Sequence, residues 1–330
     1  MSVFLGVDGG GTKTALCLVN REGRILARAR APGCYYFAGG MDLVERVLRQ
    51  GVDEVCRQAA ITPADIVYAF FGLPGYGEVS GDVPALDAAP GGALGHGRYA
   101  CDNDMVCGWA GSLGGADGIN VVSGTGSITY GEHAGRGVRV GGWGELFGDE
   151  GSAYWISIRG LRAFSQMSDG RLPVGPLHEM LRERLGLAGD LDLVDVVLNR
   201  WRGERSKIAD FGPTVVEAAS SGDTCAAEIV TGAAWELAHM VDAARRRLGF
   251  GEYETVPVSY SGGVFGAGPL LDAFGAELAA LYGGYELREP LYEPVIGAAI
   301  YAAKLAEMPL DGGALRRLRS PREGHLQIRR

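Results

Sequence analysis

Residues 6–14 read GVDGGGTKT, an aspartate followed by three glycines and then by hydroxyl and lysine side chains. Such a loop suits an anion, and the structure around it restricts which fold can follow. A Walker A loop is excluded, because Gly6 and Gly11 have the required separation but Thr12 stands where the lysine belongs. A dinucleotide fingerprint is excluded as well, because its glycines must open a helix. Here residues 13–19 are apolar and β-branched without a helical period, residues 20–23 carry turn signals, and residues 24–30 form a further strand pattern. The glycines therefore lie in the turn of a β-hairpin within a meander. Glycine there lets backbone N–H groups come close to a phosphate, although a glycine-rich turn can also serve only to turn.

The same device returns about 115 residues later. Residues 118–131, GINVVSGTGSITYG, again run from an apolar strand through a glycine–hydroxyl turn into a β-branched strand. We read this as an internal duplication, two halves that each open with an anion-binding hairpin. Between them, residues 41–60 have apolar side chains at helical spacing, interrupted by Gly51. Thr62 and Pro63 restart the chain with a cap and a first-turn proline. Residues 66–71 form a buried strand ending in GLPG, and residues 98–101 a second one ending at Asp102-Asn103-Asp104, with a helix expected over 105–112. Alternation of this kind predicts an α/β sheet with ligands at the carboxyl ends of the strands. In the second half, residues 141–155 read as a polar loop, 223–248 as a helix, 256–260 as a strand running into SGGVF, and 294–305 as a small-residue helix. The expected division is 1–116, 117–310, and a tail over 311–330. That tail carries six arginines and few apolar groups, so it is expected to be loosely ordered.

Composition narrows the function. A formal charge of −9 and a pI near 5.2 argue against non-specific binding to nucleic acid. No apolar run reaches membrane-spanning length and the N-terminus enters a strand directly, so a cytoplasmic protein without a membrane partner is expected. The six cysteines show no C-x-x-C spacing and read as reduced thiols.

Five motifs occur in order: GVDGGGTKT, DND at 102–104, GTGS at 124–127, FGDEGSAYW at 147–155 and SGGVF at 261–265. Together they resemble the BadF/BadG/BcrA/BcrD-type ATPase family. Within it the chain is most similar to the N-acetylglucosamine and glucosamine kinases, over about residues 3–305. The resemblance implies a two-domain actin/hexokinase/Hsp70-like (ribonuclease H-like) α/β fold and a kinase that moves the γ-phosphoryl group of ATP to an amino-sugar hydroxyl, O6 by family habit. Its cofactors would be ATP and Mg²⁺, its partner a small sugar, and a homodimer is allowed. By the same resemblance Asp8 would hold Mg²⁺ through water, while Gly10, Gly11, Thr12 and Lys13 would contact phosphate. Thr125, Gly126 and Ser127 would form the second phosphate loop, and Gly262 and Gly263 the nucleotide wall. Asp104 would be the general base, following Asn103 as the family's Asn-Asp pair does. Read from the residues alone, Asp104 could equally cap its helix, and Asp102 is a rival carboxylate.

Around the sugar the resemblance places Cys34, Pro74, Gly142, Trp143 and Asp149. Three positions depart from the family. Cys34 stands where an asparagine is common, Pro74 where a small hydroxyl or alanine is usual, and Ile128 where some members have asparagine. The identity of the sugar is therefore open, since recognition rests on paired polar groups. The alternative within the resemblance is an ATPase activator of a 2-hydroxyacyl-CoA dehydratase, for which Cys101 and Cys107 would be the nearest iron–sulfur ligands.

Overall fold

The computed structural model describes residues 2–266 and 268–319. The first sheet is built from β1 (Val3–Gly9), β2 (Lys13–Asn20), β3 (Ile25–Pro32), β4 (Ile66–Leu73) and β5 (Tyr99–Asn103), in the order β3-β2-β1-β4-β5. The meander β1-β2-β3 is antiparallel, whereas β4 runs parallel to β1 and β5 parallel to β4. The second sheet is built from β6 (Gly118–Ser123), β7 (Ser127–His133), β8 (Arg136–Gly141), β9 (Val256–Ser261) and β10 (Tyr285–Arg288), in the order β10-β9-β6-β7-β8. Here too the first three strands form an antiparallel meander and the last two add in parallel beside the first. The two sheets thus share one topology, the structural counterpart of the repeated hairpin.

Strand character follows burial. The central β1, VFLGVDG, is almost wholly apolar because both of its faces are covered. The edge strand β3 alternates, with Ala27, Ala29 and Ala31 inward and Arg28 and Arg30 exposed, which keeps the open edge charged. Helix Met41–Ala59 turns Val44, Val47, Leu48, Val52 and Val55 to the core. Gly51 does not interrupt it as the sequence suggested. The helix runs through Gly51, where a Cβ would lie 2.5 Å from Leu16 Cδ1, so the missing side chain lets the helix close down on β2. That contact offsets the propensity cost of about 1 kcal/mol for an interior glycine. In the other unit, Asp223 caps helix Thr224–Leu248 by accepting the Ala226 N–H at 2.9 Å, and a left-handed Gly249 ends it.

The chain divides into Met1–Ala116 together with Pro290–Arg330, and Asp117–Glu289. This corrects the expected extent of the second domain, since the chain returns to the first unit after Glu289. The reason is a set of backbone contacts that only glycine permits. Helix Pro294–Leu305 lies on β1 at Gly6, where a Cβ would collide with Val295 O and Ala299 N. The same helix crosses helix Met105–Leu113, and a Cβ on Gly297 would collide with Gly111 N.

The expected loose tail is corrected over its first part. Asp311 caps helix Gly312–Leu318 by accepting the Ala314 N–H at 2.8 Å, and Ala314 and Leu318 are buried. The helix is tied back by Tyr292 Oη, which donates to Leu315 O at 2.9 Å, and by Arg317, which donates to Glu22 O. Arginines 322, 329 and 330 lie outside the described residues. Among the described residues no helix is long and apolar enough to cross a membrane.

Gly297→Ala places a methyl group against backbone that cannot yield. It should lower unfolding stability by about 1–3 kcal/mol, the usual cost of overpacking a tight core. Chemical denaturation measures this, and an unchanged midpoint would show that the helix crossing can spread.

Candidate active site

In the first unit the residues singled out from sequence converge at the carboxyl ends of β1, β4 and β5. Asp8 is opposite Gly72 in the parallel register, and Gly9 is the last residue of β1. The hairpin turn then carries Gly10, Gly11, Thr12 and Lys13, with Gly11, Thr12 and Lys13 exposed. Gly9 has a packing reason to be glycine. A Cβ there would lie 2.6 Å from Cys34 Sγ, 2.8 Å from Gly72 O and 2.9 Å from Pro74 Cδ. Gly11 has none, because nothing approaches within 4 Å of its would-be Cβ and its φ is not left-handed. Gly11 is exposed and unobstructed, which leaves room for an anion to approach the turn.

Cys34 and Pro74, assigned above to the sugar pocket, are both buried beneath this hairpin. The Cys34 N–H donates to Gly10 O at 3.1 Å, and a Cβ on the preceding Gly33 would collide with Gly11 O. Both thus pack under the loop. Gly33 and Gly72 were missed in the sequence, where each looked like an ordinary turn glycine. Burial pushes the Cys34 thiol up, with Asp104 and Asp8 adding to the effect.

Asp104 follows β5 and precedes helix Met105–Leu113, yet its side chain makes no cap hydrogen bond to that helix. Asn103 fills that role, since its Oδ1 accepts the Met105 N–H at 3.2 Å and its Nδ2 donates to Tyr76 O at 3.3 Å. Gly72 admits the start of the helix: a Cβ there would lie 3.0 Å from Asp104 Cα and would collide with Cys107 Sγ. Gly72 thus brings Asp104 close enough to Asp8 for their charges to interact. The Asp8 carboxyl is pushed up to about 7, first by burial and then by the negative charge of Asp104, with Lys13 pulling it back. Asp102 contributes its charge to Tyr76 and Cys101, and joins Asp8 and Asp104 in acting on Cys107.

Two carboxylates beside a lysine and an open glycine turn make a site that a hydrated cation and a phosphate would complete. Among the described residues no group of three or more His, Cys, Asp or Glu could hold a metal unaided. Mg²⁺ bound here would take most of its ligands from water and phosphate, which is its usual habit.

In the second unit the turn Gly124–Ser127 is stapled to the loop that follows β8. Ser123 Oγ donates to Gly151 O at 2.8 Å, Ser127 Oγ to Glu150 O at 2.7 Å, and the Ala153 N–H to Gly124 O at 2.8 Å. Thr125 is exposed, and Gly124 has no neighbour within 4 Å of a would-be Cβ. Gly262 adopts a left-handed φ of 96° and closes onto the same turn, where a Cβ would collide with Ser123 O, while Gly263 stands open. Gly142 packs on Ile128, with a would-be Cβ 2.6 Å from Ile128 Cδ1, so the apolar residue at 128 is a packing partner of the loop. Trp143 is 70% exposed. Asp149 is buried, paired with Arg205, and accepts the backbone N–H groups of Ser127 and Gly144. Arg205 was not foreseen; a single arginine after a polar stretch carries no signal in sequence.

Two sheets of one topology, each led by a glycine hairpin, define the actin/hexokinase/Hsp70-like ATPase fold. A Chromobacterium violaceum structure provisionally described as an N-acetylglucosamine kinase shares it, with a TM-score of 0.68 at 24% identity over 91% of this chain and 98% of that one. The chain belongs to the BadF/BadG/BcrA/BcrD ATPase family, whose sequence profile matches residues 5–302. An N-acetyl-D-glucosamine kinase of Dictyostelium discoideum is 30% identical over 91% of this chain and 97% of its own length. An N-acetylmuramic acid/N-acetylglucosamine kinase of Clostridium acetobutylicum is 28% identical over 92% and 98%. Membership of an ATPase family implies use of ATP.

Asp8 binds its proton more tightly in the folded chain than in the unfolded one. The stability this gives is complete below the usual carboxylate range and is lost as pH rises through about 7. In chelator and without nucleotide, the unfolding midpoint should therefore fall between pH 5 and pH 8, and Asp8→Asn should flatten the fall. Thermal unfolding across that range decides the matter, and an equal decline in Asp8→Asn would contradict the assignment.

Proposed function

We propose that the protein is an ATP-dependent kinase that transfers the γ-phosphoryl group to a hydroxyl of an amino sugar, of the N-acetylglucosamine or glucosamine class, with O6 as the acceptor atom. The observation that carries this reading is the placing of Asp104 beside Asp8 at an open glycine turn. The kinase names of the Dictyostelium and Clostridium relatives support it, as both match nearly the whole chain. The net charge of −9 supports a small-molecule acceptor over nucleic acid.

Phosphoryl transfer demands positioning and charge stabilisation more than covalent chemistry from the protein. Asp104 acts as the general base, accepting the proton of the attacking sugar hydroxyl as the bond to phosphorus forms. Its side chain makes no cap hydrogen bond to the helix, a role that Asn103 takes. Asp8 would hold Mg²⁺ through water, and the ion would neutralise charge on the phosphates. Gly10, Gly11 and Thr12 offer backbone and hydroxyl groups to phosphate oxygens, and Lys13 adds a mobile positive charge. In the other unit, Thr125, Gly126 and Ser127 do the same, and the open Gly263 beside Gly262 admits the nucleoside. Gly142 and Trp143 contact the acceptor, and Asp149, whose buried carboxylate is held by Arg205, Ser127 and Gly144, acts on it by fixing that loop. Cys34 and Pro74 act on it only indirectly, through the hairpin they support.

The activator reading has no observation in its favour. Cys107 is wholly buried and its Sγ donates to Val7 O at 3.5 Å, which makes it a packing residue of β1.

Coupled ADP release with Mg·ATP should be stimulated by one or more of N-acetylglucosamine, glucosamine, glucose, galactosamine and muramic derivatives. Asp104→Asn should lower kcat by roughly 10²–10⁴-fold while leaving circular dichroism unchanged. Full turnover in the variant would remove Asp104 from the mechanism, and no stimulation by any sugar would overturn the kinase reading.

A further inference from the structure

Asp149 is only 3% exposed, and it adopts a left-handed φ of 55°, a conformation that a residue with a side chain keeps only where its surroundings dictate it. Three segments of the second unit converge on its carboxylate. Ser127 of the hairpin and Gly144 of the loop donate backbone N–H groups to it, and Arg205 donates through Nη2 from the start of helix Arg205–Ala209. Gly126 makes room for the pair: a Cβ there would lie 2.8 Å from Asp149 Oδ2 and would collide with Arg205 Nη2. The guanidinium also has Glu145 of the same loop at 3.5 Å from Nε.

We propose that Arg205 is a positioning residue that locks the Asp149 carboxylate against Ser127 and Gly144, and thereby fixes the second hairpin and the acceptor loop in one arrangement. A direct phosphate contact by Arg205 is the competing role. The geometry disfavours it, because Nη2 is committed to Asp149 and Nε has the Glu145 carboxylate beside it, so the guanidinium is already drawn to two acids. Two backbone N–H donors bond most strongly to an ionised carboxylate, and a nearby cation helps a buried carboxylate stay ionised. Burial pushes the Asp149 carboxyl up and Arg205 pulls it down; Glu145 is the other charged group that acts on it. Without the guanidinium Asp149 would take up a proton more readily, and its hold on the two amides would weaken.

The test uses full-length Arg205→Gln and Arg205→Lys, free of ligand, with thermal unfolding from pH 5 to pH 8. Loss of the cation raises the folded-state pKa of Asp149 further above its unfolded value. The stability gained from protonation is complete at low pH and is lost as pH rises through that folded value. The midpoint of Arg205→Gln should therefore fall further below wild type at pH 8 than at pH 5. Arg205→Lys should recover part of the difference, and in an Asp149→Asn background the pH dependence of the Arg205→Gln effect should vanish. A gap that is constant with pH, or one that persists with its pH dependence in Asp149→Asn, would overturn the proposal.

The kinetic arm rests on the kinase reading. There Arg205→Gln should raise the KM for the acceptor sugar about tenfold, the scale of one lost charged hydrogen bond, and the KM for ATP with it, since the same lock holds the second hairpin. A rise confined to ATP would instead assign Arg205 to phosphate. If wild type phosphorylates no sugar, the function fails while the unfolding arm still reads the Asp149–Arg205 pair.

Discussion

The first unit is organised around two carboxylates held in one half-buried corner. Asp8 and Asp104 come from different strand ends, and each would be more stable apart. They meet because side chains are missing where backbones must touch. Gly9 lets Cys34 and Pro74 seat under the hairpin, Gly33 lets the following segment cross Gly11, and Gly72 lets the helix that follows Asp104 start against β4. A cation entering such a corner would relieve the like-charge repulsion. An ATP-dependent phosphotransferase could use that arrangement, since under the proposed reading the second carboxylate would then stand ready to accept the proton of the attacking hydroxyl.

The second unit repeats the topology with a different solution to the same problem. Its hairpin is held from below by hydroxyl-to-carbonyl bonds from Ser123 and Ser127 and from the side by Asp149. A buried acid is compensated there by Arg205, whereas in the first unit the compensating charge beside Asp8 is the exposed Lys13. One topology therefore presents one corner short of positive charge and one already balanced.

Much of this was legible in the sequence, because the decisive signals were local. A hairpin turn between two β-branched runs, a strand ending in DND and a capped helix over 223–248 all follow from periodicity and turn chemistry. What escaped depends on contacts between residues distant in the chain. The return of residues 290–318 to the first unit rests on Gly6, Gly111 and Gly297, whose meaning appears only when two helices and a strand approach one another. Gly51 read as an interruption because a helix gives no local sign that Leu16 lies beneath it. The first part of the arginine-rich tail folds because Asp311 caps it and Tyr292 receives it. Cys34 and Pro74 were placed at the acceptor by the resemblance, and only the folded chain shows that both are buried under the first glycine turn. Arg205 could not be found at all, since its partner stands 56 residues earlier.

The account stands or falls on where the γ-phosphoryl group goes. Phosphorus NMR of a reaction containing the full-length protein, Mg·ATP and N-acetylglucosamine or glucosamine reads that fate directly. A phosphomonoester coupled to the sugar C6 protons, formed in step with ADP, is the predicted result. ADP accompanied only by inorganic phosphate, at a rate indifferent to sugar, would contradict it and mark the protein as an ATPase of another kind.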